Sequence, residues 1–520
     1  MKKWCFVLLA IFFLTLPAFA QTVDTAWVRR YSGPGKGYDE GTAIAVDGQG
    51  NVYVTGYSYH PSSVYDYATI KYNSAGVKQW VQRYNGPGND MDFASSLAAD
   101  GQGNVYVTGY SYGSGTSFDY ATIKYDSAGV KQWVQRYNGT ANGDDWASSI
   151  AVDGQGNVYV TGGARFGSGA NSDYATIKYN SSGVQEWVQI YDGNEPAYSA
   201  DAAFDLAVDG QGNVYVTGES YGGAQFSDYA TIKYNSAGNV QWVQRYDGPA
   251  HSNEQPYSLA VDGQGNVYVT GMSYGGGGGT ENDFCTIKYN TDGVEQWVQR
   301  YNGPGNDCDI GFSIAIDGQG NVYVTGESWS GTTDDCATLK YNSAGVEQWV
   351  QRYNGPTNNG DYGRSVAVDG QGNVYVTGMS CYGPDSAYNY VTIKYNSAGV
   401  EQWVQIYDGP GNGDDYAWPL AVDGAGNVYV TGWSYEGSGT DFDYATIKYI
   451  QSSPFLRGDA NGDGVININD VVFLINYLFI GGPAPQPLQA GDANSDGVVN
   501  INDVVYLINY LFVGGPPPGC

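Results

Sequence analysis

The chain has 520 residues and a formal net charge of −30, with 76 Gly, 48 Tyr and 13 Trp but only two His. This length exceeds the usual size of one globular core, so the chain holds several domains or an array of repeats. The negative charge argues against nucleic acid and anionic membrane as partners, because both would be repelled. Cations and neutral polymers remain as partners.

The N-terminal segment, at positions 1–20, has the pattern of a secretory signal. Lys2 and Lys3 supply the positive start, an apolar run follows, and residues 18–20 form a small-x-small cleavage site. We therefore expect residues 1–20 to be removed and the mature chain to begin at Gln21. No other apolar stretch approaches the roughly 20 residues that span a bilayer, so we expect no transmembrane segment. The protein is expected to be secreted, extracellular or held at the cell surface.

An internal repeat fills most of the chain. The string V-D-G-Q-G-N-V-Y-V-T-G recurs eight times with small changes, at intervals of roughly 50 residues. Its aspartates are Asp47, Asp100, Asp153, Asp209, Asp262, Asp317, Asp369 and Asp423. Each repeat holds four β-like runs, which in the second copy span residues 95–99, 104–111, 120–126 and 130–138. Alternation places Val105 and Val107 on one face and Tyr106 and Thr108 on the other, so both faces should be buried.

Four short antiparallel strands at this period are typical of propeller blades. The Trp-Val strand occurs eight times, but its first copy, at 27–31, precedes any complete blade. The last blade stops after Tyr449 without such a strand. We therefore predict a mainly β fold over residues 21–450, a closed eight-bladed β-propeller of four-stranded blades. The N-terminal strand is expected to complete the last blade, which removes exposed sheet edges.

The A-V-D-G-Q-G-N-V-Y-V-T-G repeats resemble the bacterial SBBP-type β-propeller repeats and, more distantly, NHL repeats, over roughly residues 24–450. That resemblance implies an extracytoplasmic propeller and no particular reaction.

The two ends of the blades differ in sequence. At one end the Asp-Gly-Gln-Gly-Asn and Asn-Ser-Ala-Gly turns are almost constant, and we interpret their aspartates as turn formers rather than metal ligands. At the other end, here called the variable face, the loops differ in length and sequence, which is where binding sites usually lie. These loops include residues 57–66, 113–119, 163–173, 275–283 and 381–389, with connections such as 412–416.

Carboxylates gather where the chain enters the blades at the variable face. The pairs are Asp39/Glu40, Asp90/Asp92, Asp144/Asp145, Asp307/Asp309 and Asp414/Asp415. One interpretation is a ring that attracts cations or hydrogen-bonds a glycan. We favour the other, a solvated acidic rim.

The tryptophans fall into two groups. Eight occupy one repeat position and are interpreted as packing residues: Trp27, Trp80, Trp133, Trp187, Trp242, Trp297, Trp349 and Trp403. Trp146, Trp329, Trp418 and Trp433 lie elsewhere and would stack on sugar rings if exposed. Trp146 and Trp418 sit near the position of Phe93, Phe204 and Phe312 in other blades, which favours core packing.

Catalysis finds little support in the sequence. His60 and His251 lie in different blades, and we find no nucleophile motif, HExxH zinc site or Gly-rich phosphate loop. The mature cysteines, Cys285, Cys308, Cys336, Cys381 and Cys520, are odd in number and make no disulfide framework. A Cys285–Cys336 or Cys308–Cys336 bond stays open beside free thiols.

After Ile450 the repeat stops, and a linker at 451–457 leads into two near-identical segments that begin at Gly458 and Gly491. Each continues into an apolar helix candidate, at 470–479 and 503–512. Oxygen ligands stand at loop positions 1, 3, 5 and 12 with Gly at 6, which is the spacing that calcium requires. We predict two calcium ions, with the Val carbonyls as ligands and the second Asn of each loop acting through water. The first set is Asp459, Asn461, Asp463, Val465, Asn467 and Asp470, and the second is Asp492, Asn494, Asp496, Val498, Asn500 and Asp503.

The arrangement of loop then helix, present twice in succession, resembles a type I dockerin over residues 458–513, which leaves 514–520 as a Pro/Gly-rich tail. The resemblance implies a module that folds on calcium and binds cohesin domains. By that likeness Ile468-Asn469 and Ile501-Asn502 stand where well-known cellulosomal members often carry Ser/Thr contacts, a departure from their pattern. The two small helices bury little core alone, so metal binding should govern folding.

We interpret the protein as a secreted or surface-associated, non-catalytic binding or scaffold protein. Its propeller would recognise a glycan or protein ligand, and its dockerin-like module would attach to a cohesin-like protein or a cell-surface scaffold. The alternative is a secreted carbohydrate-active enzyme, a polysaccharide hydrolase or lyase, that carries the same tail. In a third interpretation the tail assists surface retention without any cohesin.

Overall fold

The computed structural model describes residues 23–166, 171–193, 200–221, 226–275, 281–382, 387–437, 441–451, 456–486 and 488–518. The predicted signal at 1–20 lies outside these residues, as do parts of the variable-face loops at 163–173, 275–283 and 381–389 and part of the linker at 451–457. One compact unit spans Thr25–Ile450, and the described residues after Gln451 belong to a second.

The first unit contains 32 strands, counting β1 (Val23–Tyr31). Blades 1 to 4 are built, in chain order, from the following strands: β2–β5 (Asp39–Val46, Val52–His60, Val64–Tyr72, Lys78–Tyr84), β6–β9 (Asp92–Ala99, Val105–Tyr112, Phe118–Tyr125, Lys131–Tyr137), β10–β13 (Trp146–Val152, Val158–Arg165, Ser172–Tyr179, Gln185–Tyr191) and β14–β17 (Ala202–Val208, Val214–Tyr221, Ser227–Tyr234, Val240–Tyr246). Blades 5 to 8 continue with β18–β21 (Glu254–Val261, Val267–Tyr274, Asn282–Tyr289, Glu295–Tyr301), β22–β25 (Asp309–Ile316, Val322–Trp329, Asp334–Tyr341, Glu347–Tyr353), β26–β29 (Asp361–Val368, Val374–Cys381, Tyr388–Tyr395, Glu401–Tyr407) and β30–β32 (Asp415–Val422, Val428–Tyr435, Phe442–Gln451). The strands of the second blade start and end close to the predicted runs.

Blade 8 is completed by the N-terminal strand, because its sheet order is β1-β32-β31-β30. Trp27 of β1 also reaches blade 1, where its indole N–H donates to the Ser74 carbonyl at 3.3 Å. Gly76 has φ +75°, and a Cβ at this position would lie 2.7 Å from the Trp27 ring. The Tyr444 hydroxyl of β32 donates to the Ala68 carbonyl of blade 1 at 3.1 Å. The ring of eight four-stranded blades is therefore closed, and the predicted fold class is confirmed.

The hydrophobic core lies between the blades. Val105, Tyr106, Val107 and Thr108 are all fully buried, as expected for a sheet that is covered on both faces. Tyrosine hydroxyls also link successive blades: that of Tyr120, for example, donates to the carbonyl of residue 175 in the next blade at 3.2 Å. The blades are held together by this packing and by hydrogen bonds between them, so each blade depends on its two neighbours.

Two cysteines replace core residues of the repeat. Cys336 occupies the position of Tyr120 in blade 2, and Cys285 supplies the carbonyl that accepts from Tyr229. Burial raises the pKa of both thiols to about 12. Neither disulfide that the sequence left open is present in this structure, because Cys285, Cys308, Cys336 and Cys381 are free. Cys520 lies outside the described residues.

The second unit is a duplicated loop and helix. Helix α1 (Ile468–Ile475) continues in a π-turn at Asn476–Ile480, and α2 (Ile501–Ile508) in one at Asn509–Val513; a 3-10 turn spans Leu488–Gly491. Both helices begin two residues before the predicted start, because Asn467 and Asn500 form capping boxes with Asp470 and Asp503. The small core consists of Ala460, Val471, Leu474, Ala493, Val504 and Leu507. Within the described part of the chain, no helix is long and apolar enough to cross a membrane.

Candidate functional site

The first predicted calcium loop winds around Asp459. Its carboxylate accepts the backbone N–H groups of residues 462, 463 and 464 at 2.8 to 3.1 Å. The Asp470 carboxylate closes the loop, since it accepts the N–H groups of Asn461 at 3.1 Å and Asn467 at 2.9 Å. Gly464 at loop position 6 has φ +84°, the left-handed conformation that the sharp turn requires.

The donor set of this loop fits a calcium ion. Burial raises the pKa of the Asp470 carboxyl, hydrogen bonds from Asn467 and Asn461 oppose the rise, and the neighbouring Asp459 and Asp463 add to it. Three mutually repelling carboxylates and only oxygen donors are the environment that a hard divalent cation neutralises. Asn467 has a structural role as well, because its side-chain oxygen accepts the Asn469 N–H at the helix cap.

The second loop repeats this arrangement with two differences. Asp503 accepts the N–H groups of Asn494 at 3.2 Å and Asn500 at 2.8 Å. The Asp492 carboxylate, however, also accepts from the Arg457 guanidinium at 2.7 Å. Ser495 has φ +64°, where the first loop has a glycine. The two loops are therefore chemically alike but not equivalent.

Each half of the module exposes an apolar helix face opposite its core. The side chains follow i, i+4, i+7 and i+11 spacing, which places them on one side of a helix. Their exposed fractions lie between 37 and 66 %. The first face consists of Ile468, Val472, Ile475 and Phe479, and the second of Ile501, Val505, Ile508 and Phe512. The predicted contact positions at 468 and 501 are thus exposed in both halves.

The constant turns are held by their aspartates, as predicted. In blade 1, Asp47 accepts the N–H groups of Gln49 and Asn51, each at 2.9 Å, and the Tyr53 hydroxyl at 2.9 Å. Burial alone would raise the pKa of Asp47, but these hydrogen bonds lower it. The gap between the turns of Asp100 and Asp153 encloses about 610 Å³, and a smaller gap recurs one blade further on, so it follows from blade stacking.

The prediction of a solvated acidic rim is wrong for half of the carboxylates at the blade entries. Asp39, Asp92, Asp145, Asp309 and Asp415 are completely buried. Asp309, for example, accepts the N–H groups of Gly303 at 2.6 Å and Trp329 at 3.1 Å. Asp39, Asp145, Asp309 and Asp415 thus tie the blade entry to the end of the second strand, a contact between distant positions that local sequence does not reveal.

The first strands of neighbouring blades contact one another all round the ring, so they are innermost. Each contains a β-bulge, and the bulged residue re-aims its side chain. Around the ring these residues are Thr42, Ser95, Ser148, Phe204, Tyr257, Phe312, Arg364 and Trp418. We call this set the bulge ring. The bulge ring was not predicted, although the residue at this position varies from Ser to Trp within a nearly constant repeat.

Five consecutive members of the bulge ring are bulky and in contact. The Tyr257 ring lies 6.4 Å from that of Phe204 and 5.2 Å from that of Phe312. The Arg364 guanidinium lies 4.2 Å from the Phe312 ring and 5.3 Å from the Trp418 ring. The next two members, Thr42 and Ser95, are small, so the bulky arc ends at Trp418 and leaves a gap beside it.

A cavity of about 400 Å³ occupies this gap. Its lining includes Glu40, Tyr57, Phe93, Ser95, Tyr110 and Trp418. Trp418 is 37 % exposed, which corrects the expectation that it packs in the core. Trp146, Trp329 and Trp433 are half-buried, and Trp433 stacks on Tyr416 with ring centroids 4.0 Å apart.

Among the described residues, neither histidine lies in a Ser-His-Asp arrangement. The His60 Nδ1 faces the hydroxyl oxygens of Ser62 at 2.9 Å and Ser63 at 3.2 Å, and Ser63 donates to Asp66. A triad would need the carboxylate to bond the ring instead. His251 is exposed and bonded to Asp247.

Six segments of the propeller match the model of the SBBP beta-propeller repeat, at residues 26–61, 79–115, 132–163, 241–278, 296–331 and 348–380. Residues 457–512 match the model of the dockerin type I domain. Fold and matches together define the class of repeat propellers that carry a docking module. Within it, this chain is an SBBP β-propeller repeat protein with a C-terminal type I dockerin domain, a kind of domain that generally binds calcium.

Several solved structures align with most of the chain at low identity. The polysaccharide lyase Uly1 aligns with a TM-score of 0.44 and 11 % identity, over 71 % of this chain and 92 % of its own. Sqt1 of Chaetomium thermophilum, bound to the N-terminus of the ribosomal protein L10, aligns with a TM-score of 0.49 and 10 % identity, over 79 % and 97 %. The propeller domain of the Trilobed protease from Pyrococcus furiosus aligns with a TM-score of 0.38 and 8 % identity, over 72 % and 96 %. Identities this low say nothing about ligand or activity. No curated protein matches the chain.

Proposed function

We propose that this is a secreted or surface-associated, non-catalytic binding protein, in which the dockerin attaches the chain to a cohesin-like partner and the propeller recognises a ligand. The observation that carries the proposal is the pair of matching apolar faces on the calcium-loop module. The signal pattern at 1–20 supports export. We assign the propeller to 21–450, the linker to 451–457, the dockerin to 458–513 and the tail to 514–520.

The two exposed apolar helix faces, here called the docking faces, are the surfaces through which the module attaches to its partner. Val472 and Val505 lie at the centres of the two faces and are 50 and 49 % exposed. Apolar side chains concentrated on a small module mark a protein–protein interface. Because both halves present the same residue types at the same spacing, a partner that fits one face also fits the other after a half-turn.

Calcium controls the presentation of these faces. Asp470 is both the last predicted ligand of the first loop and the capping partner of Asn467 at the start of α1. Neutralising the loop carboxylates therefore stabilises the first turn of the helix that carries the first docking face.

A binding role for the propeller is supported by the composition of its cavity. Among the described residues that line it, Glu40 is the sole carboxylate. Glycoside hydrolysis generally requires two carboxyl groups that flank the scissile bond. The cavity is thus better suited to holding a glycan than to hydrolysing one.

The docking proposal is tested with the full chain and a set of purified type I cohesin domains, with calcium and with chelator. Binding should require calcium and disappear in the double variant Val472→Asp/Val505→Asp. Each single variant should weaken binding by only about twofold, because one of two equal sites remains. Val77→Asp, a 55 % exposed valine of the propeller, is the matched control and should bind normally.

Two outcomes would overturn the proposal. One is binding that survives in the double variant or in chelator. The other is a calcium-loaded, folded module that binds none of the cohesin domains.

A further inference from the structure

The innermost first strands of the eight blades surround a central channel. The gap in the bulge ring makes one sector of this channel unlike the rest. The first strands enter from the variable face, so Glu40 and Phe93, which stand second in β2 and β6, lie at the variable-face mouth of the channel. Together with Trp418 they enclose the 400 Å³ cavity, a volume that falls in the range of small-molecule sites. We propose that this cavity binds a single pyranose ring of a neutral glycan. The inference rests on the proposed role of the propeller as the recognition part of the protein.

The aromatic rings of the cavity supply an apolar surface. Tyr57 and Phe93 meet edge-to-face with centroids 4.8 Å apart, and Tyr110 lies 5.2 Å from Phe93. Trp418 ends the bulky arc beside Arg364 and opens toward the small side chains of Thr42 and Ser95. A pyranose ring has an apolar face of C–H groups, and such a face packs well on an indole.

The polar groups of the cavity are oxygens that accept or exchange hydrogen bonds. Glu40 accepts from the Tyr57 hydroxyl at 2.6 Å and is also hydrogen-bonded to Tyr38. A carboxylate has about four acceptor positions, so about two remain for ligand hydroxyls. An apolar occupant would leave that capacity unpaired in a half-buried site, which costs free energy. A polyol with one apolar face satisfies both kinds of lining.

Charge argues against an anionic ligand. The net charge of −30 repels anions. The Arg364 guanidinium, 5.3 Å from the Trp418 ring, is paired with the Glu327 carboxylate at 3.6 Å and so offers no free positive charge to attract an anion. A neutral ligand avoids this repulsion, and a cation is an outcome that the experiment below distinguishes.

Saturation-transfer NMR on the full chain tests the proposal with the methyl glycosides of glucose, galactose, mannose, xylose and N-acetylglucosamine at millimolar concentration. We expect at least one to bind and Trp418→Ser to weaken its affinity by about tenfold or more. Glu40→Gln, which keeps the shape of the side chain, should weaken it less. Phe226→Ser removes an aromatic side chain that is 40 % exposed and does not line the cavity, and it should bind like the parent.

A second variant separates loss of the site from loss of the fold. Ser95→Phe places in blade 2 the residue that blades 4 and 6 carry at the same bulge, as Phe204 and Phe312. The fold already accommodates phenylalanine there, so this variant should keep its unfolding temperature while the filled cavity no longer binds sugar. Retained binding in Ser95→Phe overturns the proposal.

Two further results overturn it as well. One is the absence of saturation transfer from all five glycosides. The other is butylammonium that binds more tightly than the glycosides and loses this affinity in Glu40→Gln. That result would identify the cavity as a cation-binding site. Docking is measured separately through Val472 and Val505, so a propeller that binds no sugar leaves calcium-dependent attachment intact, and the two failures are distinguishable.

Discussion

Buried carboxylates hold the blade entries in place. Asp309 is completely buried between two backbone N–H donors, whereas Asp307, two residues earlier, is exposed and accepts only the N–H of its neighbour Cys308. A carboxylate in the first environment is structural, and one in the second is merely solvated.

Asp309→Ala should destabilise the propeller by about 2–4 kcal/mol, because the buried N–H of Gly303, the partly buried N–H of Trp329 and the Ser328 hydroxyl lose their acceptor. Asp307→Ala is the matched control and should change stability by less than about 0.5 kcal/mol. Thermal unfolding of both variants is the measurement. Equal effects of the two substitutions would contradict this account of the blade entry.

Trp27 of strand β1 links blade 8 to blade 1 and so helps to close the ring. Trp27 is 7 % exposed and makes in blade 8 the contact that Trp80 makes in blade 1, since each indole N–H donates to a serine carbonyl of the next blade, at 3.3 and 3.2 Å.

Trp27→Ala should therefore cost about 3–5 kcal/mol, as is usual for a buried tryptophan. Trp80 makes the same hydrogen bond but is only half-buried, so Trp80→Ala should cost less. Denaturant unfolding of the two variants provides the comparison. If Trp80→Ala destabilises the chain and Trp27→Ala does not, β1 does not complete blade 8 in solution.

The dockerin module has too small a core to be independent of its metal. Its described residues include seven buried apolar side chains, of which three are alanines, and its loops crowd carboxylates together. Chelation should therefore abolish hydrogen-exchange protection in residues 468–480 and 501–513 while the propeller strands stay protected. Protection of both helices that persists in chelator would show that the module folds without calcium.

The blades and helices were predictable from sequence because their periods are local. Alternation along β7 sufficed to predict that Val105 and Tyr106 are both buried. The residues that line the channel were not predictable, because a local period does not describe them. A bulge inserts one residue and shifts the alternation, so the direction of Ser95 or Trp418 depends on pairing with the next strand.

The burial of the carboxylates at the blade entries was not predicted for a similar reason, because it depends on partners that are distant in sequence. The partners of Asp309 are a turn residue, Gly303, and the N–H of Trp329, which lies 20 residues away. An aspartate beside a turn is more often exposed, and only the packed blade shows otherwise.

The propeller as a whole contains two populations of carboxylates with opposite responses to pH. Burial raises the pKa to about 6 for Asp92, Asp145, Asp361 and Asp415, and to about 7 for Glu254 and Glu327. Because these folded values exceed the unfolded ones, their contribution to stability is present at low pH and is lost as the pH rises through 6 to 7. The turn aspartates such as Asp47 have lowered pKa values, so their contribution is lost only in stronger acid.

The propeller should therefore be most stable near pH ~5 and should melt at a lower temperature at pH ~7.5, with calcium held saturating. Asp361→Asn should reduce this difference, because the variant cannot ionise at that buried position. Calorimetry of the propeller transition at both pH values is the measurement. A higher melting temperature at neutral pH would contradict the assignment.

The two strands that close the ring are synthesised at widely separated times. β1 ends at Tyr31 and its partner β32 begins at Phe442, so about 410 residues separate them, or roughly 20–80 s of synthesis at typical rates. During that interval the first strand made has no partner and the ring has an open side. The ring of blades can therefore close only after β32 has been synthesised, at a point where only residues 452–520 remain to be made.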